Sequence, residues 1–202
     1  METPHEPQEG GQQEHDERER ERPVPRIYAA SLSDYNDGRL HGAWIDAAQD
    51  PDELYREVRA MLIDSTLPDA EEFAIHDYED FGPLRLGEYE SLETVSLIAK
   101  GIAHHGAAFA HWAALVGIRQ PADLERFDEQ YEGHHESLAA YAEQLLKDLN
   151  FLDELDTFEA KLPQSLRPYV RLDIEAFALD LLHGGDIMTS EGDGGIYVFR
   201  PL

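Results

Sequence analysis

The chain has 202 residues, no cysteine, and 43 Asp and Glu against 16 Lys and Arg, a formal net charge of −27. Without cysteine there is neither a disulfide framework nor a thiolate metal site, and no apolar run reaches the roughly 18 residues needed to cross a bilayer. A content of 42 % hydrophobic and 9 % aromatic residues still supplies compact cores, so the acidity is not that of a disordered tail.

Residues 1–25 hold almost no apolar side chains and are expected to form a disordered leader, because they can bury too little surface to offset the entropy of ordering. Their polar character is unlike a signal peptide and, with the absence of cysteine, fits a cytoplasmic protein. Residues 1–26 account for −4 of the charge, so −23 belongs to residues 27–202, the part expected to fold. Residues 26–32 read as a strand, 34–38 as a turn built on Asx and Gly chemistry, 40–46 as a second strand and 72–78, by alternation, as a third. Between them Asp50 is placed to cap a helix, with Pro51 in its first turn and Glu53 three residues on; Leu54, Val58, Met61 and Leu62 share one face. Residues 26–90 therefore predict an N-terminal α+β domain, a three-stranded sheet with one helix.

From Ser91 the period becomes helical, with Leu92, Val95, Ala99 and Ile102 in step and Gly106 and Gly117 as punctuation. A central helical domain over 91–127 follows, including a helix opened by Pro121 and running through Phe127. Residues 128–202 read as a C-terminal α+β domain. Ser137 caps a helix with Leu138, Tyr141, Ala142, Leu145 and Leu149 inward, and Asp173 caps another with Ile174, Phe177 and Leu181 inward. Segments 186–190 and 195–200 flank Glu191-Gly192-Asp193-Gly194 as a closing hairpin. The fold class is α+β in several small domains. Tyr28, Trp44, Tyr78, Phe177 and Tyr197 are expected in the cores.

Candidate chemistry is sparse. His104-His105 with His111, and His134-His135 followed by Glu136, lack the four-residue spacing with a carboxylate that a helical zinc site needs, and read as solvated or core-edge histidines. Asp34-Tyr35-Asn36-Asp37-Gly38 opens like a calcium loop, but Ile45 stands where the bidentate Glu belongs. There is no nucleophile elbow and no phosphate-binding Gly-rich loop. His76 beside Asp77 is the one pair that resembles a poised base; otherwise His76 is a strand residue with a satisfied hydrogen bond. No enzyme, cofactor or metal is expected.

The charge pattern says more. Acids recur along the helical stretches, as at Asp123, Glu125, Asp128, Glu129, Glu132, Glu136, Glu143 and Asp148. Neighbours three or four apart on a helix lie about 5–6 Å apart at Cβ, close to the spacing of phosphates along a strand of nucleic acid. Duplex DNA carries one charge per about 1.7 Å, so the folding part matches roughly 40 Å of duplex and a dimer roughly 80 Å. Candidate phosphate-mimicking carboxylates are Asp46, Asp50, Asp52, Glu53, Glu57, Asp77, Glu79, Asp80, Glu88, Glu90 and Glu93, together with Asp123, Glu125, Asp128, Glu129, Glu132, Glu136 and Glu143. Reversing one of them is expected to cost little, and reversing Asp123, Asp128 and Glu132 together much more. The plain alternative is that the acidity solubilises the chain or reflects the proteome it came from. Either way, like-charge repulsion argues against direct nucleic-acid or anionic-membrane binding, and the partner should be basic.

The run Ile27-Tyr28-Ala29-Ala30-Ser31-Leu32-Ser33-Asp34-Tyr35-Asn36-Asp37-Gly38, followed by Leu40-His41-Gly42-Ala43-Trp44-Ile45-Asp46-Ala47, resembles the start of the ArdA antirestriction proteins. So does Ala74-Ile75-His76-Asp77-Tyr78-Glu79. A further match runs from Phe151-Leu152-Asp153-Glu154-Leu155 through Leu162-Pro163-Gln164-Ser165-Leu166-Arg167-Pro168-Tyr169-Val170 to Glu175-Ala176-Phe177-Ala178-Leu179-Asp180-Leu181. The resemblance implies an elongated, curved, dimeric mimic of B-form DNA, built from three small domains. Such a protein fills the DNA-binding groove of type I restriction-modification enzymes, against their specificity and modification subunits, and acts by occupancy without turnover. Such proteins are often encoded on mobile genetic elements. The antirestriction motif and dimer contact would fall on Leu152, Asp153, Glu154, Leu155, Leu162, Pro163, Leu166, Tyr169, Val170, Glu175, Phe177 and Asp180. Residues 156–161 and Arg171-Leu172 resemble insertions in that pattern, and the leader an addition. Two other readings of the residues stay open: an acidic protein binding another basic DNA-binding partner, such as a nucleoid protein or repressor, and a hydrolase using His76 and nearby acids.

Overall fold

The structure, a computed structural model, describes residues 23–118 and 122–201, apart from the side chains of Ala122, Leu124 and Glu125. The expected leader, as far as residue 22, and the expected helix-opening Pro121 lie outside the described residues. Contacts group the chain into two units: one runs to Ala110 and takes in Ile118, the other holds His111–Gly117 and the residues from 122 onward. Residues 91–127, read as a domain of their own, are thus shared between the two.

In the first unit, strands β1 (Arg26–Ser31), β2 (Gly42–Asp46) and β3 (Phe73–Glu79) form an antiparallel sheet in the order β2-β1-β3. The turn expected over 34–38 is preceded by a short helix, α1 (Leu32–Asn36). Ser31 Oγ accepts from the Asp34 N–H, while the Asp34 carboxylate accepts from Ser31 Oγ at 2.6 Å and from Ser65 Oγ at 2.7 Å. Those hydrogen bonds hold the buried Asp34 carboxyl below its ordinary range. Helix α2 (Pro51–Ile63) packs on β2 and β1 and buries Leu54, Val58, Met61 and Leu62, the stripe its period dictates. Asp50 stands at the cap position with Pro51 behind it, but its carboxylate makes no cap bond and pairs with Lys100 instead.

Parity within β1 overturns part of the expected core. Ile27 and Ala29 face the helix-covered side, so Tyr28 lies on the opposite face, directly across from Trp44. Their rings sit 5.6 Å apart and the Arg26 guanidinium lies 5.4 Å from the Trp44 ring. Trp44 is exposed, Tyr28, Tyr78 and Phe177 are half-buried, and of the five aromatics only Tyr197 is buried. Helix α3 (Leu92–His105) begins at Ser91, whose Oγ accepts from the Thr94 N–H. It buries Val95, Ile98, Ala99 and Ile102 and packs on α2. Helix α4 (Ala107–Val116) starts in this unit, where a β-carbon on Gly101 would come within 2.3 Å of the buried Phe109 ring. Only glycine permits that approach.

The second unit carries α5 (Ala122–Gln130), β4 (Tyr131–His135), α6 (Leu138–Asp148), α7 (Phe151–Lys161), a 3-10 turn (Arg167–Tyr169), α8 (Ile174–Gly184), β5 (Met188–Gly192) and β6 (Gly195–Phe199). The expected hairpin is present as β5 and β6, closed by Asp193 and Gly194 with φ of +50° and +75°, the two left-handed positions a tight hairpin turn requires. It acquires a third strand that the residues did not announce, giving the order β4-β6-β5. Ser137 and Asp173 cap α6 and α8 as expected. Tyr141, Ile187 and Val198 form a core with Leu138, Leu145, Leu181, Leu182 and Ile196 around it. Leu149, expected inward, is exposed, because α6 ends at Asp148 and Asn150 turns left-handed at φ +57°. A second cluster joins Trp112, Phe127, Tyr131 and Phe199 by ring contacts of 5.2–6.5 Å.

Candidate functional site

Most of the candidate carboxylates reach solvent. Asp46, Asp50, Asp52, Glu57, Asp77, Glu79, Asp80, Glu88, Glu93, Asp128, Glu129 and Glu136 are exposed, and Glu53, Glu90, Glu132 and Glu143 are half-buried. Asp123 is different: only 7 % exposed and 3.6 Å from Arg126, it cannot present its charge as the helical pattern suggested. Its position on the inner side of α5 places it inside the unit. Glu125 lies outside the described side chains. Several of the others already hold a cation: Asp50 with Lys100, Glu53 with Arg56, Glu79 with Arg26 at 3.0 Å, Glu143 with Lys147 at 2.7 Å and Glu132 with Arg200 at 2.6 Å. Only the pairs at Glu53 and Glu143 sit at helical spacing and could be read from sequence; the rest join residues far apart in the chain. Such exposed pairs contribute little stability, but each cancels the charge of one carboxylate locally.

The stretch from 149 to 180 is unlike the rest of the second unit. Neither α7 nor the 3-10 turn buries a single residue, although both carry large apolar side chains. Phe151, Phe158, Leu166 and Leu179 are exposed, Tyr169 is 83 % exposed, and Leu152, Leu155, Leu162, Val170 and Phe177 are half-buried. Asp153, Glu154, Pro163, Glu175 and Asp180 lie exposed among them. Helix α7 packs on α6, and Arg167 ties the following turn to it by donating to the Ala160 carbonyl at 2.8 Å and the Leu162 carbonyl at 3.1 Å.

A family model described as Antirestriction protein (ArdA) matches residues 27–194, from the first strand to the turn of the closing hairpin. The chain belongs to the ArdA antirestriction protein family. A search of the curated proteins finds no match. Membership in the ArdA family gives the protein an antirestriction function, with restriction-modification enzymes as its partners and inhibition as its mode.

The candidate histidines of this ArdA protein are engaged locally. His104 and His105 meet edge to face at 4.5 Å. His134 Nε2 lies 3.0 Å from the Gly192 carbonyl, and His135 Nε2 3.2 Å from that of Glu132. Among the described residues no group of three or more His, Asp or Glu is placed to hold a metal ion, and no helix is long and apolar enough to cross a membrane. His76 meets Tyr35 edge-on at 4.7 Å, whereas Asp77 accepts the Tyr78 N–H, so the two do not form the acid–base pair their adjacency suggested.

His111 offers a pH test. Its ring packs on Tyr197 at 4.6 Å, its Nδ1 meets Ser190 Oγ at 2.7 Å, and Asp193 and His134 are its charged neighbours. Burial lowers its pKa from the ordinary 6.5, outweighing the pull of Asp193. The fold therefore prefers neutral His111: its contribution is complete above pH 6.5 and falls as acid protonates the unfolded chain first. The melting-temperature advantage of the native protein over His111→Asn is expected to shrink on going from neutral pH to below 6.5. Carboxylate titration, common to both proteins, cancels in that difference; an advantage that grows in acid would refute the assignment.

Proposed function

We propose that the protein is a dimeric DNA mimic that occupies the DNA-binding groove of type I restriction-modification enzymes, against their specificity and modification subunits. It acts in the cytoplasm, by occupancy and without catalysis or cofactor, and competes with DNA for the groove. The observation that carries this reading is the charge of −23 on residues 27–202, displayed largely on exposed carboxylates such as Asp52, Asp77, Asp80, Glu129 and Glu136, which pair with no base among the described residues. A groove lined by basic residues gains from such a surface what it gains from phosphates, at long range and with steep salt dependence. The open apolar run of α7, the 3-10 turn and α8 supports dimerisation through this segment, which would double the charged length.

The test is a titration of the purified protein into a type I modification enzyme bound to a fluorescent duplex, with anisotropy read at several salt concentrations. Stoichiometric release of DNA that weakens as salt rises is the expected result. No release by a folded, dimeric protein would move the target to another basic DNA-binding partner, such as a nucleoid protein or repressor.

A further inference from the structure

A cleft of about 410 Å³ in the first unit is lined by Leu32, Tyr35, Asn36, His76, Glu88 and Tyr89. Three features of the fold converge to build it. Strand β3 carries a bulge: Tyr28 pairs with Asp77 and Ala29 with Ile75, so His76 has no partner on β1 and its side chain is re-aimed. The Ile75 N–H donates to the Glu88 carbonyl at 2.8 Å, and the Glu90 N–H to the Gly87 carbonyl at 3.1 Å, which lays a turn bearing Glu88 and Tyr89 along the outer edge of β3. Helix α1, held by the Ser31 and Asp34 bonds, brings Tyr35 and Asn36, with Tyr35 edge-on to His76.

The lining has an uncommon composition. Tyr35 is 55 % and Tyr89 74 % exposed, a pair of large aromatic rings left to solvent at one opening. Among the described residues the Glu88 carboxylate and the Asn36 amide have no hydrogen-bonding or ionic partner, whereas Asp50, Glu53 and Glu79 each hold a base. Aromatic faces attract cations, a free carboxylate accepts a forked donor, and the surrounding negative potential repels anions. A guanidinium satisfies all three, because it is planar, permanently charged and weakly hydrated, and stacks on a ring while donating at its edge. An ammonium, a compact and strongly hydrated charge, uses the ring faces less well.

We propose that this cleft receives an arginine side chain of the protein's basic partner. The proposal rests on the reading of that partner as a basic DNA-binding enzyme, and adds where one of its arginines anchors. Carboxylates elsewhere imitate phosphates by charge alone, whereas this site would hold one side chain by shape, giving the interface a fixed point of register.

The test uses N-acetyl-arginine methylamide as probe, titrated into the full chain at constant ionic strength while the ring resonances of Tyr35, His76 and Tyr89 are followed by NMR. Saturable shifts confined to these rings are expected, with the matching lysine probe weaker by about fivefold or more. Glu88→Gln and Tyr89→Ala, both at exposed positions and each checked for an unchanged melting temperature, should each weaken the probe by about fivefold or more, and together should weaken DNA release from the enzyme by about tenfold. Shifts that do not saturate, equal binding of the lysine probe, or an unchanged affinity in Glu88→Gln would overturn the site. Probe binding with unaltered DNA release by the double variant would overturn its role with this partner. Probe binding by a protein that releases no DNA at all leaves the site standing and removes the mimic reading; DNA release without probe binding does the reverse.

Discussion

Replacing Trp112 by alanine is expected to destabilise the second unit by about 3–5 kcal/mol, the cost of removing a large ring that is fully enclosed. Trp112 has no exposed surface, its ring meets Phe127 at 5.6 Å, and its Nε1–H donates to Gln130 Oε1 at 2.7 Å inside the same cluster. Gln130 is buried as well, and its carbonyl accepts the Arg200 N–H at 2.7 Å where the last strand ends. The indole therefore links packing to a buried polar partner. Gln130→Ala should cost about 1–3 kcal/mol by removing a buried hydrogen-bonding partner of the indole, and the double variant should cost less than the sum of the two. Urea unfolding followed by far-UV circular dichroism measures all three. A loss below about 1 kcal/mol for Trp112→Ala would mean that the cluster repacks and that Trp112 is not its keystone. Because a small protein has only about 5–15 kcal/mol of stability in total, this one side chain decides whether the unit bearing the open apolar run remains folded.

Local chemistry made much of this fold legible. Ser91, Ser137 and Asp173 each cap the helix they precede, since a short polar side chain before a run of helical period has one best use for its oxygen. Asp193-Gly194 closes the hairpin because both positions require positive φ. The elements that local chemistry does not signal depend on distant partners. Strand β4 has Gly133 and two histidines in five residues, a composition with little strand signal, and it exists because β6 offers it a free edge. Helix α1 was in fact signalled by Ser31 and Asp34 at capping-box spacing, yet the Gly and Asx residues after it read more strongly as a turn. Tyr28 and Trp44 alternate as core residues do, but alternation leaves open which face a helix will cover. The charge was plain from composition, and the family motifs from their order, whereas the cations that temper it were not: Lys100 comes to Asp50, Arg26 to Glu79 and Arg200 to Glu132 across fifty residues or more. The arginine cleft was hidden for the same reason, since a bulge at His76 and a turn at 87–90 have no signature in a single sequence.

Those pairings also decide how the distributed-charge reading is to be tested. Reversing Asp123, Asp128 and Glu132 together, attractive from the helical pattern, would bury a cation at Asp123 beside Arg126 and would break the Glu132 contacts with Arg200 and Tyr141, so loss of inhibition would report unfolding. Asp52→Asn, Asp80→Asn, Glu129→Gln and Glu136→Gln form a cleaner set. All four acids are exposed, none pairs with a base among the described residues, and Asp80 at φ +63° occupies a conformation that asparagine also accepts. Exposed charge contacts contribute about 0.2–1 kcal/mol each, so the quadruple variant should release DNA from the enzyme about fourfold to several hundredfold less effectively, and each single variant by no more than about fivefold. Its stability should move the other way. Removing four charges from a strongly anionic chain relieves self-repulsion, so its melting temperature at low salt should equal or exceed that of the native protein. Added salt has the same two faces in the native protein, raising the melting temperature while weakening the complex, because screening acts on both repulsion and attraction. A quadruple variant that melts higher yet inhibits undiminished would show that net charge contributes nothing to inhibition, and a single exposed carboxylate whose neutralisation abolishes inhibition would show that the contact is not shared.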